Sequence, residues 1–136
     1  MQRNFENYHL ITSTAKISTP THGGRAKCLQ RLVRLDLPVP KTVALSFDVI
    51  KEIAFGKMPN LNDILSNFAP TDILCVRPSS ESSDWGGPGA VLNIGMNEER
   101  CSHLKKYIGE KAASELYLRF IQAYSVSVAR LDPDIF

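Results

Sequence analysis

Two glycine-containing turns, each with a cation beside it, are the parts of this sequence best suited to chemistry. The first is the run His22-Gly23-Gly24-Arg25, and the second begins at Arg77, where an apolar stretch ends and a loop begins. Backbone N–H groups at the start of a helix attract anions, and glycine lets a phosphate approach the backbone closely. A guanidinium mounted on a strand holds a phosphate through two hydrogen bonds. Both turns therefore predict phosphate binding.

The second turn offers further hydrogen-bond donors. Ser79 and Ser80 come first, followed by the run Gly86-Gly87-Pro88-Gly89. Glycines of this kind can fold over a polyphosphate and supply backbone N–H groups. Neither turn has Walker A or Rossmann spacing, and a Gly-Gly pair before a helix is most often only a turn. The plainer interpretation of the arginine is an ion pair with a local acid, Asp84 or Glu81.

Hydrophobic periodicity predicts the elements that must position these turns. The first half of the chain is predicted to contain a possible short strand at 8–12, an amphipathic helix from Gly23-Gly24 to about residue 35, a strand at 42–47, and short helices at 47–55 and after an Asn60 cap. The second half is predicted to contain strands at 73–77 and 90–94, a helix capped by Asn97 and ended by Gly109, and a long helix at about 110–130. The mixture predicts an α+β fold. We expect the strands at 42–47, 73–77 and 90–94 to share one mixed or antiparallel sheet that helices pack against.

Six apolar side chains are expected to form the core of this domain: Leu29, Leu32, Val76, Leu92, Leu116 and Phe120. Truncating Leu116 or Phe120 to alanine is then expected to cost about 2–5 kcal/mol.

Composition narrows the classes of partner and the location. A net charge of +2 over 136 residues is too small to favour nucleic acid or a membrane surface as the main partner. The polar opening MQRNFENYHL has no signal-peptide character, and no apolar run is long enough to span a bilayer. These features predict a cytoplasmic protein.

The thiols and imidazoles show no metal-binding pattern. Three cysteines far apart in the sequence favour reduced, buried thiols, at Cys28, Cys75 and Cys101. Three histidines are also scattered, at His9, His22 and His103. We interpret each histidine as structural or exposed and predict no metal site.

Three motifs in order resemble the pyruvate phosphate dikinase and phosphoenolpyruvate synthase family. GGRAKCLQRLVRLDLPVPKTVALSF resembles the family's opening, roughly GGKGANLAEM, a helix, then GLPVPPGF and a strand. ILCVRPSSESSDWGGPGAVLNIGMNEE resembles its next motif, roughly SVRSSA, a glycine-containing loop and TVLNLGLND. ELYLRFIQAY is similar to the helix that follows, often YRRFIQMY. The resemblance covers Gly23 to about Tyr124, so residues 1–21 are interpreted as an N-terminal extension and 22–136 as a partial domain.

The resemblance implies the first lobe of an ATP-grasp nucleotide-binding domain. In that family ATP phosphorylates a histidine on a swivelling domain, and the phosphoryl group then passes to pyruvate, giving phosphoenolpyruvate. The cationic phosphate ligands fall on Arg77, at the SVRSSA arginine, and on Arg25, in place of the GGK lysine. The remaining implied ATP phosphate-binding positions are Gly23, Gly24, Ser79, Ser80, Gly86, Gly87 and Gly89. ATP is the implied cofactor, magnesium enters only if a second lobe completes the site, and no catalytic residue is assigned.

Departures from the family pattern leave two main hypotheses. Arginine replaces the lysine, Ala26 stands at a position that is often glycine, and Trp85 has appeared in the loop. The sequence also ends before the lobe that would supply the adenine pocket and the magnesium-binding acids. One hypothesis is an ATP-binding lobe of a dikinase-like phosphotransferase, inactive by itself and completed by a second lobe or a phosphohistidine domain in the same or another chain. The other is a stand-alone, catalytically degenerate nucleotide-binding or regulatory module.

Overall fold

The computed structural model describes residues 8–82 and 89–135. They divide into two compact units, one formed by 8–70 with 79–82 and the other by 71–78 with 89–135. Each unit combines a two-stranded antiparallel ladder with helices, which confirms the predicted α+β class. No described helix combines the length and the apolar character needed to cross a bilayer.

The first unit contains two strands and three helices. They are β1 (Tyr8–Leu10), α1 (Thr19–Arg34), β2 (Val43–Leu45), α2 (Phe47–Ala54) and α3 (Leu61–Leu65). Strands β1 and β2 run antiparallel with His9 opposite Ala44, and Ile11 N–H extends the ladder by donating to Thr42 O over 2.9 Å. The core of this unit consists of Ile11, Ile17, Ala26 and Ala44, with Ala15, Leu29 and Val33 packed around it.

A buried glutamine fastens the loop after β1 to helix α1. Gln30 is fully buried, and its Nε2 donates to the carbonyl oxygens of Thr12 at 3.1 Å and Ala15 at 2.6 Å. Lys27 Nζ donates to Gln30 Oε1 over 2.9 Å. Buried polar groups must find partners, so this amide holds the loop on the helix.

The second unit contains β3 (Leu74–Val76), β4 (Val91–Ile94), α4 (Glu98–Ile108), α5 (Glu110–Ser127) and a single 3₁₀ turn at Pro133–Ile135. Strands β3 and β4 are antiparallel, with an irregularity between Leu74 and Val76. Gly109, at φ +87°, both ends α4 and begins α5. The core of the unit is Met96, Cys101 and Ala113, with Leu104, Leu116, Tyr117 and Phe120 packed against it.

Side-chain caps begin three of the helices, as expected where Asn or Ser precedes an apolar stripe. Ser46 Oγ accepts from Val49 N–H at the start of α2. Asn60 Oδ1 accepts from Asn62 N–H at 3.1 Å, and Asn97 Oδ1 from Arg100 N–H at 2.8 Å. Both asparagine caps predicted from the sequence are confirmed.

The expectation of one shared sheet is wrong for the described residues. Strand β2 pairs with β1, and β3 pairs with β4, so the three expected strands belong to two separate ladders. Val76, a residue of β3 that was expected in the core, is 64% exposed. A pattern of apolar residues indicates which side chains are expected to be buried. It does not identify the strand with which a given strand pairs.

Several predicted core positions are also corrected. Val76 and Leu92 are exposed. Leu29, Leu116 and Phe120 are half-buried and pack against the two cores, and Leu32 is half-buried. Of the three cysteines, Cys101 alone is buried, while Cys28 and Cys75 are exposed. The cores are small, so many helix side chains lie at their margins.

Candidate functional site

Helix α1 is interrupted at the first predicted phosphate turn. Gly23 lies within α1 with φ +83° and ψ 167°, and the helical conformation resumes at Gly24. Residues with a side chain rarely adopt these φ and ψ angles, so glycine is favoured at this position. A Cβ at Gly23 would also lie only 2.5 Å from Ser79 Oγ. Glycine is therefore needed for the bend and for the approach of a second segment.

The segment that approaches is Ser79-Ser80, the start of the second predicted turn. Ser79 Oγ donates to His22 O at 2.7 Å and accepts from Ala26 N–H at 3.1 Å. Gly24 N–H donates to Ser80 O at 2.8 Å. Ser79 therefore caps the continuing part of α1 from a distant position in the sequence. Four residues expected to bind phosphate, Gly23, Gly24, Ser79 and Ser80, meet here within the first unit.

Three hydrogen-bond donors at this junction are already engaged within the chain. The hydroxyl of Ser79 and the N–H of Gly24 bond within the chain, as above, and the hydroxyl of Ser80 donates to the carbonyl of Ser82. A phosphate could use these donors only by replacing those bonds. Their role in phosphate binding stays a prediction.

The two predicted cationic ligands have exposed side chains. Arg25 lies on α1 two residues after the break, and Arg77 follows β3 directly. Among the described residues, neither guanidinium forms an ion pair or a side-chain hydrogen bond with a residue of its own unit. Because the arginines belong to different units, their convergence stays a prediction. So does the alternative pairing of Arg77 with Glu81 or Asp84.

The remaining predicted ligands are loop glycines. Gly89 is exposed just before β4, and no atom of the described residues lies within 4 Å of a Cβ added to it. Gly86 and Gly87, like Asp84 and Trp85, lie outside the described residues.

One residue near the break was not singled out from the sequence. His22 is only 4% exposed, and its ring centroid lies 5.5 Å from that of His9. Its Nδ1 is 2.8 Å from Thr21 Oγ1, while its Nε2 is buried without a hydrogen-bond partner among the described residues. Burial lowers the pKa of His22 below its ordinary value of 6.5, and nearby His9 lowers it further. Its position directly before the Gly-Gly pair is the sequence feature that could have pointed to His22. The sequence does not predict that its ring lies beside that of His9.

Comparisons with known proteins bear on about half of the chain. Over 65 residues, 47% of this chain, it is 37% identical to pyruvate, phosphate dikinase of Rickettsia felis. The same identity and coverage hold for the enzymes of Rickettsia conorii and Rickettsia typhi. The matched segment is 7% of the length of each of these relatives.

Two further comparisons gave no match. No protein-family model matches the chain, and no solved structure matches it. The relation that the comparisons support is therefore a partial one: a stretch of this chain is similar to a short segment of pyruvate, phosphate dikinase.

Proposed function

We propose that this chain is part of a pyruvate, phosphate dikinase-like phosphotransferase and that it binds the phosphates of ATP at the break in α1. The observation that carries the proposal is the junction between the two predicted turns, where Gly24 N–H bonds to Ser80 O at 2.8 Å. Two segments separated by more than fifty residues meet at the start of a helical stretch, where the helix dipole favours an anion. The partial similarity to the Rickettsia enzymes supports the same class of chemistry.

Arg25 is the main phosphate ligand of the first unit in this proposal. Its guanidinium is exposed, lies two residues beyond the break, and has no ion-pair partner among the described residues. Arg77, exposed directly after β3, is the second proposed phosphate ligand. Binding by these exposed cations is weak, with a dissociation constant on the order of a millimolar.

Magnesium and a phosphoryl acceptor come from elsewhere in this proposal. No three His, Cys, Asp or Glu side chains in the described part of the chain are grouped closely enough to hold a metal ion. A second ATP-grasp lobe, in the same or another chain, supplies the metal-binding acids, and a phosphohistidine domain accepts the phosphoryl group. The residues described here bind and orient phosphate.

An NMR titration with ATP tests the phosphate site. Shifts are expected at residues 23–27 and 77–82, they weaken with added salt, and they are reduced in Arg25→Ala and Arg77→Ala. Arg31→Ala is the matched control, because Arg31 is an exposed arginine of the same helix, away from the break. If the control loses the shifts as fully as Arg25→Ala, ATP is held by general positive charge and the site is rejected.

A second candidate is a binding or regulatory module that keeps the fold without the chemistry. It is favoured by the internal bonds of Ser79 and Gly24, which give these residues a structural role that needs no ligand. Incubating the full gene product with labelled ATP separates the candidates. A labelled histidine supports the phosphotransferase, whereas ATP binding without labelling supports the module.

A further inference from the structure

His22, whose carbonyl oxygen accepts from Ser79, also lines a pocket of the first unit. Its volume is about 260 Å³, and its lining includes His9, Lys16, His22, Phe47, Asp48 and Lys51. All of them belong to the first unit. We call it the His9–His22 pocket. Among the described residues, no predicted ATP ligand lines it, Arg25 included.

The buried imidazole of His22 is the least satisfied group in this pocket. The residue is 4% exposed, and Nε2 has no hydrogen-bond partner among the described residues. Nδ1 is occupied by Thr21 Oγ1 at 2.8 Å. A buried polar atom without a partner is costly, and a bound ligand with oxygen atoms would remove that cost.

The charges around the pocket select an anion. Lys16 and Lys51 are both exposed lining residues, so their ammonium groups can turn toward a ligand. Asp48 is the opposing charge, and its Oδ1 lies 3.4 Å from Lys51 Nζ. Two lysines against one carboxylate leave the lining positively charged.

A helix terminus adds to this charge. Ser46 caps α2, and Phe47 and Asp48 form its first turn, so the positive end of the dipole of this eight-residue helix lies in the pocket lining. Its backbone N–H groups are hydrogen-bond donors of the kind that hold phosphate oxygens. The volume is below that of pockets that hold drug-sized ligands, which suits a small ion better than a nucleotide.

We propose that the His9–His22 pocket binds a small dianionic oxyanion of the phosphate class. Lys16 and Lys51 provide charge, the start of α2 provides backbone donors, and His22 provides an Nε2–H donor. This site goes beyond the proposed ATP site, since it shares neither arginine with it and has its own lining.

Binding of a dianion has a consequence for the imidazole. The anion stabilises the protonated form of His22, against the burial and the proximity of His9 that disfavour it. The other charged groups that line the pocket are Lys16, Lys51 and Asp48. The titration of the His22 ring therefore reports occupancy of the pocket.

The test is an NMR titration of the 136-residue chain with inorganic phosphate, following the imidazole resonances in a non-phosphate buffer. A saturable shift of the His22 ring is expected, with a dissociation constant on the order of a millimolar and a rise in the pKa of His22. At about pH 8, where phosphate is mainly a dianion, acetate at equal ionic strength should shift the ring much less, since it carries one charge. Equal effects of acetate and phosphate would overturn the assignment to dianions.

Lysine variants locate the site. Lys16→Ala and Lys51→Ala should each weaken phosphate binding by about 2- to 5-fold, while Lys57→Ala, at an exposed lysine outside the pocket lining, should leave it unchanged. A non-saturable shift, or an equal loss in all three variants, would mean that phosphate acts only as general salt. Arg25→Ala should keep phosphate binding in this pocket. Loss of the ATP-induced shifts in that variant therefore tests the proposed ATP site alone.

Discussion

Ser79 Oγ donates a 2.7 Å hydrogen bond to the carbonyl oxygen of His22, 57 residues earlier in the chain. Ser79 Oγ also accepts from Ala26 N–H, so one side chain bridges the two sides of the break in α1. The bridge explains how two turns that look independent in the sequence become one structural feature. The histidine whose carbonyl oxygen accepts this bond also lines the His9–His22 pocket.

Substituting Gly23 tests the requirement for glycine at the break. Gly23→Ala should lower the free energy of unfolding by about 2 kcal/mol or more, because a Cβ there combines an unfavourable φ of +83° with overlap against Ser79. Gly56→Ala is the matched control, with φ +82° and no atom within 4 Å of the added Cβ, and should cost about 1–2 kcal/mol. Urea denaturation measures both, and equal losses would show that the contact with Ser79 is unimportant.

Removing the hydroxyl of Ser79 tests the cap. Ser79→Ala should cost about 1–2 kcal/mol of unfolding free energy, because it removes one bond to His22 and leaves Ala26 N–H without its acceptor. Ser13→Ala provides the control, since Ser13 is exposed in the same unit. Indistinguishable denaturation midpoints for the two variants would contradict the assigned cap.

The depressed pKa of His22 makes stability depend on pH. Below its ordinary pKa of 6.5, an unfolded chain takes up a proton that the folded His22 resists. The unfolded state then binds more protons, so the free energy of unfolding should fall as the pH drops from 6.5 toward the lower folded pKa. Denaturation at a series of pH values above about 5, where carboxylates contribute little, measures the slope.

A variant identifies the source of that slope. His22→Phe should reduce the dependence of the unfolding free energy on pH. His103→Gln, at an exposed histidine, should leave that dependence unchanged. A phosphate-free buffer is needed if phosphate binds beside His22. A slope that persists in His22→Phe would assign the effect to another group.

Enlarging Ala113 tests the packing of the second unit. Ala113 is fully buried against Met96 and Cys101, so Ala113→Leu should destabilise this unit by about 1–3 kcal/mol. Ala112→Leu adds the same side chain at the neighbouring exposed position and should cost much less. Chemical denaturation followed by circular dichroism compares them, and similar losses would contradict the packing of α5.

The sequence by itself determined the elements and many of their ends. Asn60 and Asn97 were readable as caps because their side chains bond to backbone only two or three residues away. Gly109 was readable as a helix end for a similar reason, since its positive φ is a local property. The α+β class and the partial similarity to pyruvate, phosphate dikinase rest on the same kind of local pattern.

Only the tertiary structure decided which elements meet. Periodicity shows that a strand has an apolar face, but it does not identify the strand that pairs with it. Strand β2 pairs with β1 and with neither strand after residue 70, because pairing between strands depends on the tertiary fold. The same limit applies to the site. Ser79 reaches His22 and His22 lies beside His9 through contacts between distant segments, and no local propensity encodes the distance between such residues.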